Sequence, residues 1–172
     1  MGDLAADVLA AVRDIPDFPR PGILFKDLTP LLKKPSLYGR VVDWMGEGWG
    51  PIDRIVGMES RGFWFAPALV GPLDAGFVPL RKSGRLPHET LSAAYNLEYG
   101  TAELEIHVDA IAPGDRVLIV DDLIATGGTA AAAVDLVRRL GGEVVGAVFV
   151  IELGYLNGVS KLDCPVRSLV TV

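Results

Sequence analysis

Asp121 and Asp122 stand side by side after an apolar run, Val117 to Val120, and before a cluster of small and hydroxyl residues, Ala125-Thr126-Gly127-Gly128-Thr129. The pattern predicts a strand, an acid pair, and a loop that opens into a helix. Glycine at 127 and 128 lets a ligand reach the backbone with no Cβ in the way. Exposed N–H groups at a helix start, with the Thr126 and Thr129 hydroxyls beside them, suit a phosphate dianion. The acids complicate a plain phosphate site, because carboxylates repel phosphate yet accept hydrogen bonds well from ribose hydroxyls. A sugar phosphate with its anion at the loop and its hydroxyls at the acids satisfies both. The Gly-Lys-Ser/Thr of a P-loop and the GxGxxG of dinucleotide sites are absent. The bland alternative is a surface turn that carries acids by chance.

Three other stretches could do chemistry. Glu59-Ser60-Arg61-Gly62-Phe63 follows an apolar run, and Arg61 either grips phosphate oxygens through its fork or pairs with Glu59. Arg81, Lys82 and Arg85 form the one basic cluster of an acidic chain, either an anion site or a solvated hairpin tip. Asp17 to Asp27 mixes prolines, aromatics and charge in a way that suits neither strand nor helix, and reads as a lid or a pocket wall.

The elements that must position these residues follow from periodicity. Leu4 to Val12 predicts a helix capped by Asp3, and Ser36 to Glu47 a second one capped by Ser36. Arg54 to Met58 and Phe77 to Leu80 are apolar strands, with a helix from about 63 to 69 between them. Residues 88–99 show no clear order and read as a mobile flap; Glu103 to Val108 alternates as a half-exposed strand. After the acid pair, Ala130, Ala133, Val134, Val137 and Leu140 form a helical stripe that Gly141-Gly142 stop, and strands follow at Val144 to Leu153 and Val166 to Val172. Strand alternating with helix predicts an α/β fold with a mostly parallel central sheet flanked by helices. Ligands of such sheets gather outside the carboxyl ends of the strands, where each of these loops falls.

With 172 residues, 50% of them hydrophobic, a single domain over 1–172 can bury a sizeable core. A net charge of −6 argues against a general nucleic-acid or membrane-surface partner. No basic leader or long apolar run is visible, and the single Cys164, expected in the core, forms no internal disulfide; the expected place is the cytoplasm. His88 and His107 lie too far apart in the chain to suggest a metal pair.

The stretch RVLIVDDLIATGGT resembles the phosphoribosyl diphosphate signature of the type I phosphoribosyltransferases. PRPGILFKDLTPLL is similar to the base-binding loop of the members that use adenine, ESRGF to the pyrophosphate loop, and RKSGRLPHETLSAAYNLEYG to the catalytic flap. The resemblance implies an N-terminal base-binding hood within 1–35 and a flexible flap over 81–99. It implies transfer of a 5-phosphoribosyl group from its 1-diphosphate to adenine. By it, Ala125, Thr126, Gly127, Gly128 and Thr129 anchor the 5-phosphate, and Asp121 and Asp122 orient the ribose hydroxyls. Glu59, Ser60 and Arg61 form the pyrophosphate loop, often with a strained peptide; Arg81, Lys82 and Arg85 face pyrophosphate. Phe25 stacks on the purine, backbone groups near Leu24 and Lys26 read its edge, and Glu98, with Tyr99 beside it, handles its proton. Many members have arginine where this chain has Lys26. Magnesium (Mg2+), held mainly by substrate and water, and a homodimer are further implications, while another base or a non-catalytic sensor of the diphosphate stay open.

Overall fold

A computed structural model describes residues 3–96 and 101–172. The chain divides into two compact units, Met1–Trp44 and Met45–Val172.

In the first unit α1 (Leu4–Leu9) starts where Asp3 accepts a hydrogen bond from Ala5 N at 3.0 Å, as its sequence predicts. It ends before Val12, because the chain turns into β1 (Arg13–Pro16), which pairs antiparallel with β2 (Leu24–Asp27). The stretch expected to be neither strand nor helix is thus a hairpin with a folded tip. Asp17 accepts from Gly22 N at 2.8 Å, Phe18 N donates to Ile23 O at 3.2 Å, and the Phe18–Pro19 peptide is cis. Prolines at 16, 19 and 21 hid a ladder only four residues long. A short α2 (Thr29–Leu32) follows, and α3 (Pro35–Gly46) begins at Pro35 rather than behind a Ser36 cap. Proline suits the first turn because the N–H it lacks would have no intrahelical partner.

The second unit is built on seven strands: β3 (Arg54–Met58), β4 (Gly76–Lys82), β5 (Thr90–Asn96), β6 (Thr101–His107), β7 (Arg116–Ile124), β8 (Glu143–Glu152) and β9 (Val166–Thr171). Their order is β5-β6-β4-β3-β7-β8-β9. Strands β4, β3, β7, β8 and β9 run parallel, while β6 pairs antiparallel with β4 and β5. Val117, Leu118, Ile119 and Val120 are fully buried near the middle of the sheet, each contributing about 1.5–3 kcal/mol by leaving water. Between β3 and β4 the expected helix is instead two 3-10 turns, Arg61–Trp64 and Ala66–Leu69, and a short α4 (Val70–Leu73). Pro67 and Pro72 interrupt a longer α-helix there. The helix α5 (Gly128–Arg139) follows β7 and places Ala130, Ala133, Val134 and Val137 in the core.

Residues 90–96, expected within a mobile flap, form β5, paired residue by residue with β6 from Thr90 opposite His107 to Asn96 opposite Thr101. Leu91, Ala93 and Tyr95 pack on the core, an alternation that the small residues at 92 and 94 disguise in the sequence. Cys164 is half-buried against the core rather than within it, and burial pushes its thiol pKa up. Among the described residues no helix is long and apolar enough to cross a membrane.

Candidate active site

The acid pair does not lie beyond the strand but within it. β7 continues to Ile124, so Asp121 pairs with Phe149 of β8 and Asp122 is the next residue along. Successive residues of a strand point to opposite faces, which gives the two carboxylates different surroundings. Asp122 is 1% exposed. Its Oδ2 lies 3.1 Å from Nε of Arg61, an ion pair without the alignment of a hydrogen bond. Asp121 is half-buried, and its Oδ1 accepts from Asp122 N at 2.9 Å. Burial, and then the charge of Asp122, push the Asp121 carboxyl well above the ordinary aspartate range. Burial also raises Asp122, against the opposing pull of the Arg61 guanidinium.

The 3-10 turn that carries Arg61 sits directly on this strand end. A Cβ on Gly62 would lie 2.7 Å from the Val120 carbonyl oxygen and 3.1 Å from Asp121 Oδ1, so only glycine allows the approach. Arg61 therefore meets Asp122.

The loop Ala125–Gly128 closes β7 into α5. Gly127 has φ +77°, and α5 starts without a side-chain cap, which leaves its first N–H groups to a ligand. Loop position is fixed from a distance in sequence: a Cβ on Gly127 would run into the Gly158 carbonyl, and one on Gly158 would meet the Ala125 carbonyl and Gly127 N. Gly158 belongs to the turn Gly158–Lys161 after β8, and nothing in the sequence marked it as part of the site.

A second cluster lies at the end of β4. Glu59, whose side chain is 7% exposed, accepts from Arg81 Nε at 3.2 Å and from Lys82 N at 3.2 Å, and its other oxygen takes Arg85 Nη1. These contacts outweigh the burial that works against ionisation, and hold the Glu59 carboxyl below the usual range. The Glu59–Ser60 peptide is cis, and Ser60 is exposed. Glu105 on β6 was not singled out by sequence, where it is one polar position in an alternating strand. It is 9% exposed and accepts from Ser83 Oγ at 2.8 Å and Gly84 N at 3.0 Å, which ties down the turn between Arg81 and Arg85.

Leu24, Phe25 and Lys26 lie on β2 of the first unit. Phe18 and Phe25 meet edge to face with centroids 5.1 Å apart, Leu24 is exposed, and the Lys26 ammonium pairs with Asp14 at 2.8 Å. Glu98 and Tyr99 fall outside the described residues. The histidines that are distant in sequence, His88 and His107, have ring centroids 6.0 Å apart, yet among the described residues no three His, Cys, Asp or Glu side chains converge to hold a metal ion.

A protein called adenine phosphoribosyltransferase from Thermobifida fusca is 56% identical over 164 residues, 94% of this chain and 93% of its own. The crystal structure of adenine phosphoribosyltransferase from Rhodothermus marinus superimposes with a TM-score of 0.94 at 50% identity, covering 98% of each chain. The Saccharomyces cerevisiae adenine phosphoribosyltransferase, complexed with an imino-altritol bisphosphate and adenine, superimposes with a TM-score of 0.90 at 44% identity, over 98% of this chain and 99% of that one. The phosphoribosyl transferase domain family matches residues 41–163. A matching domain over most of the chain, and relatives at least half identical across nearly all of it, show that the chain belongs to the phosphoribosyltransferase family.

Proposed function

We infer that the chain catalyses the reaction of adenine with 5-phosphoribosyl 1-diphosphate to give AMP and pyrophosphate, a purine salvage transfer. The observation that carries this is the join at the end of β7 of an uncapped helix start, two carboxylates and Arg61. Adenine as the base is supported by relatives of that name over nearly the whole chain.

In this transfer the ribose carbon parts from its diphosphate before the purine nitrogen is fully bonded, so positive charge builds on the sugar. Stabilisation comes from positioning and fixed charge. Ala125 to Thr129 anchor the 5-phosphate through backbone N–H groups and the two threonine hydroxyls. Asp121 takes the ribose hydroxyls and favours the developing charge. Asp122 joins it, and its burial against Arg61 supports a part in holding that arginine as well. Ser60 and Arg61, with Arg81, Lys82 and Arg85, receive the departing diphosphate. Phe25 stacks on the purine, and backbone groups of Leu24 and Lys26 read its edge. The pair of Lys26 with Asp14 favours a backbone contact there over a side-chain one. Glu98 handles the purine proton, with Tyr99 beside it.

The donor set fits a magnesium ion held mainly by substrate and water: two adjacent carboxylates are present, one of them engaged by Arg61, and no cage of three among the described residues. When bound, magnesium would offset the negative charge of the diphosphate, with Asp121 as the carboxylate free to face its hydration shell. We place the protein in the cytoplasm as a homodimer, with small-molecule substrates and no nucleic-acid or membrane partner. The direct test supplies 5-phosphoribosyl 1-diphosphate and magnesium with each purine in turn. AMP and pyrophosphate from adenine are expected; turnover only with another base, or binding of the diphosphate without loss of adenine, overturns the assignment.

A further inference from the structure

Three of the four cations assigned to the departing diphosphate are already matched by carboxylates. Arg61 meets Asp122, and Arg81 and Arg85 both meet Glu59. Lys82 forms no side-chain ion pair among the described residues, though its N–H also donates to Glu59. Glu59 is the unusual member. Both its oxygens face the cationic turn, its side chain is 7% exposed, and Glu59 N is itself fixed by the Leu80 carbonyl at 2.9 Å. A carboxylate in that place repels diphosphate and competes with it for the two arginines.

We propose that Glu59 is the resident counter-anion of the diphosphate subsite, holding Arg81 and Arg85 until diphosphate displaces it and reclaiming them as pyrophosphate leaves. This rests on the transfer reaction proposed above and adds a positioning residue that acts through the two arginines. The arrangement keeps the cations ordered while the site is free of ligand, since Glu105 fixes the turn and Glu59 fixes the side chains. It also makes tight retention of pyrophosphate costly, since its departure is helped by an anion waiting to replace it.

The test is the inhibition constant of pyrophosphate against 5-phosphoribosyl 1-diphosphate in wild type, Glu59→Gln and Glu59→Asp. Neutralising a charge-assisted, partly exposed contact should tighten pyrophosphate about tenfold in Glu59→Gln. KM for the diphosphate should fall with it and KM for adenine stay put, while Glu59→Asp, which keeps the charge, stays within about threefold of wild type. Damage to the fold predicts loss of affinity, so a gain separates the two explanations. Unchanged or weaker pyrophosphate binding in a folded Glu59→Gln variant overturns the proposal. A second measurement needs no variant: in a crystal structure of the wild type with pyrophosphate, Glu59 should stand apart from Arg81 and Arg85, and intact pairs would refute it. If the wild type makes no AMP from adenine, the transfer assignment fails instead, and that outcome is separate.

Discussion

Replacing Gly158 with alanine tests whether the loop after β7 is a phosphate anchor held from behind. The new Cβ would lie 2.7 Å from Gly127 N and against the Ala125 carbonyl, both of them backbone and unable to swing aside. Overpacking of this kind costs about 1–3 kcal/mol, and for a chain of this length each kcal/mol lowers the melting temperature by about 2–4 °C. The larger effect falls on the ligand. A backbone N–H lost to a charged phosphate forfeits about 1.5–3 kcal/mol, which raises KM for 5-phosphoribosyl 1-diphosphate by about 10- to 150-fold per contact. KM for adenine should change little. Initial rates over a range of each substrate give both constants, and a melting curve on the same preparation reports the fold. Gly71→Ala serves as control, since a Cβ there meets nothing within 4 Å. A folded Gly158→Ala protein with a lowered melting temperature and an unchanged KM for the diphosphate would show that the loop does not hold the phosphate.

Asp122→Ala leaves Arg61 facing a buried gap, so the loss of turnover should come with about 2–3 kcal/mol of destabilisation, measurable by denaturant unfolding; unchanged stability would mean the pair is energetically idle. Asp121 titrates in the fold above its unfolded value, so its contribution is whole below the ordinary aspartate range and is lost as pH rises through the raised value. Asp121→Asn should therefore melt no lower than wild type at pH 7, with the difference vanishing toward acid, while turnover drops. A variant that melts well below wild type at neutral pH contradicts the sign. Phe25→Ala should weaken adenine binding by about tenfold and leave the diphosphate nearly untouched, as a lost aromatic contact implies; equal effects on both ligands, read by calorimetry, would remove Phe25 from the base pocket.

The order of elements and the place of the chemistry were legible because they rest on local rules. A short unbroken apolar run fits a strand buried on both faces, and glycine with hydroxyls after it fits a turn into a helix. Asp3 as a cap, Arg54–Met58 as a strand and the stripe of α5 follow from the same short-range physics. Where local signals were weak the sequence misled. Four-residue strands between prolines looked like loop, and β5 looked irregular because small residues at 92 and 94 blurred its alternation.

Pairing across the fold belonged to the tertiary structure. The 3-10 turn over β7 carries Arg61 to Asp122, and β4 brings Arg81 and Arg85, more than twenty positions on, to Glu59. Gly158 and Glu105 entered the site only through contacts with residues more than twenty positions away. Composition and periodicity determine which face a side chain shows, since that depends on a few neighbours along the chain. Which charge meets which depends on where distant strands end, and only packing of the whole sheet decides that.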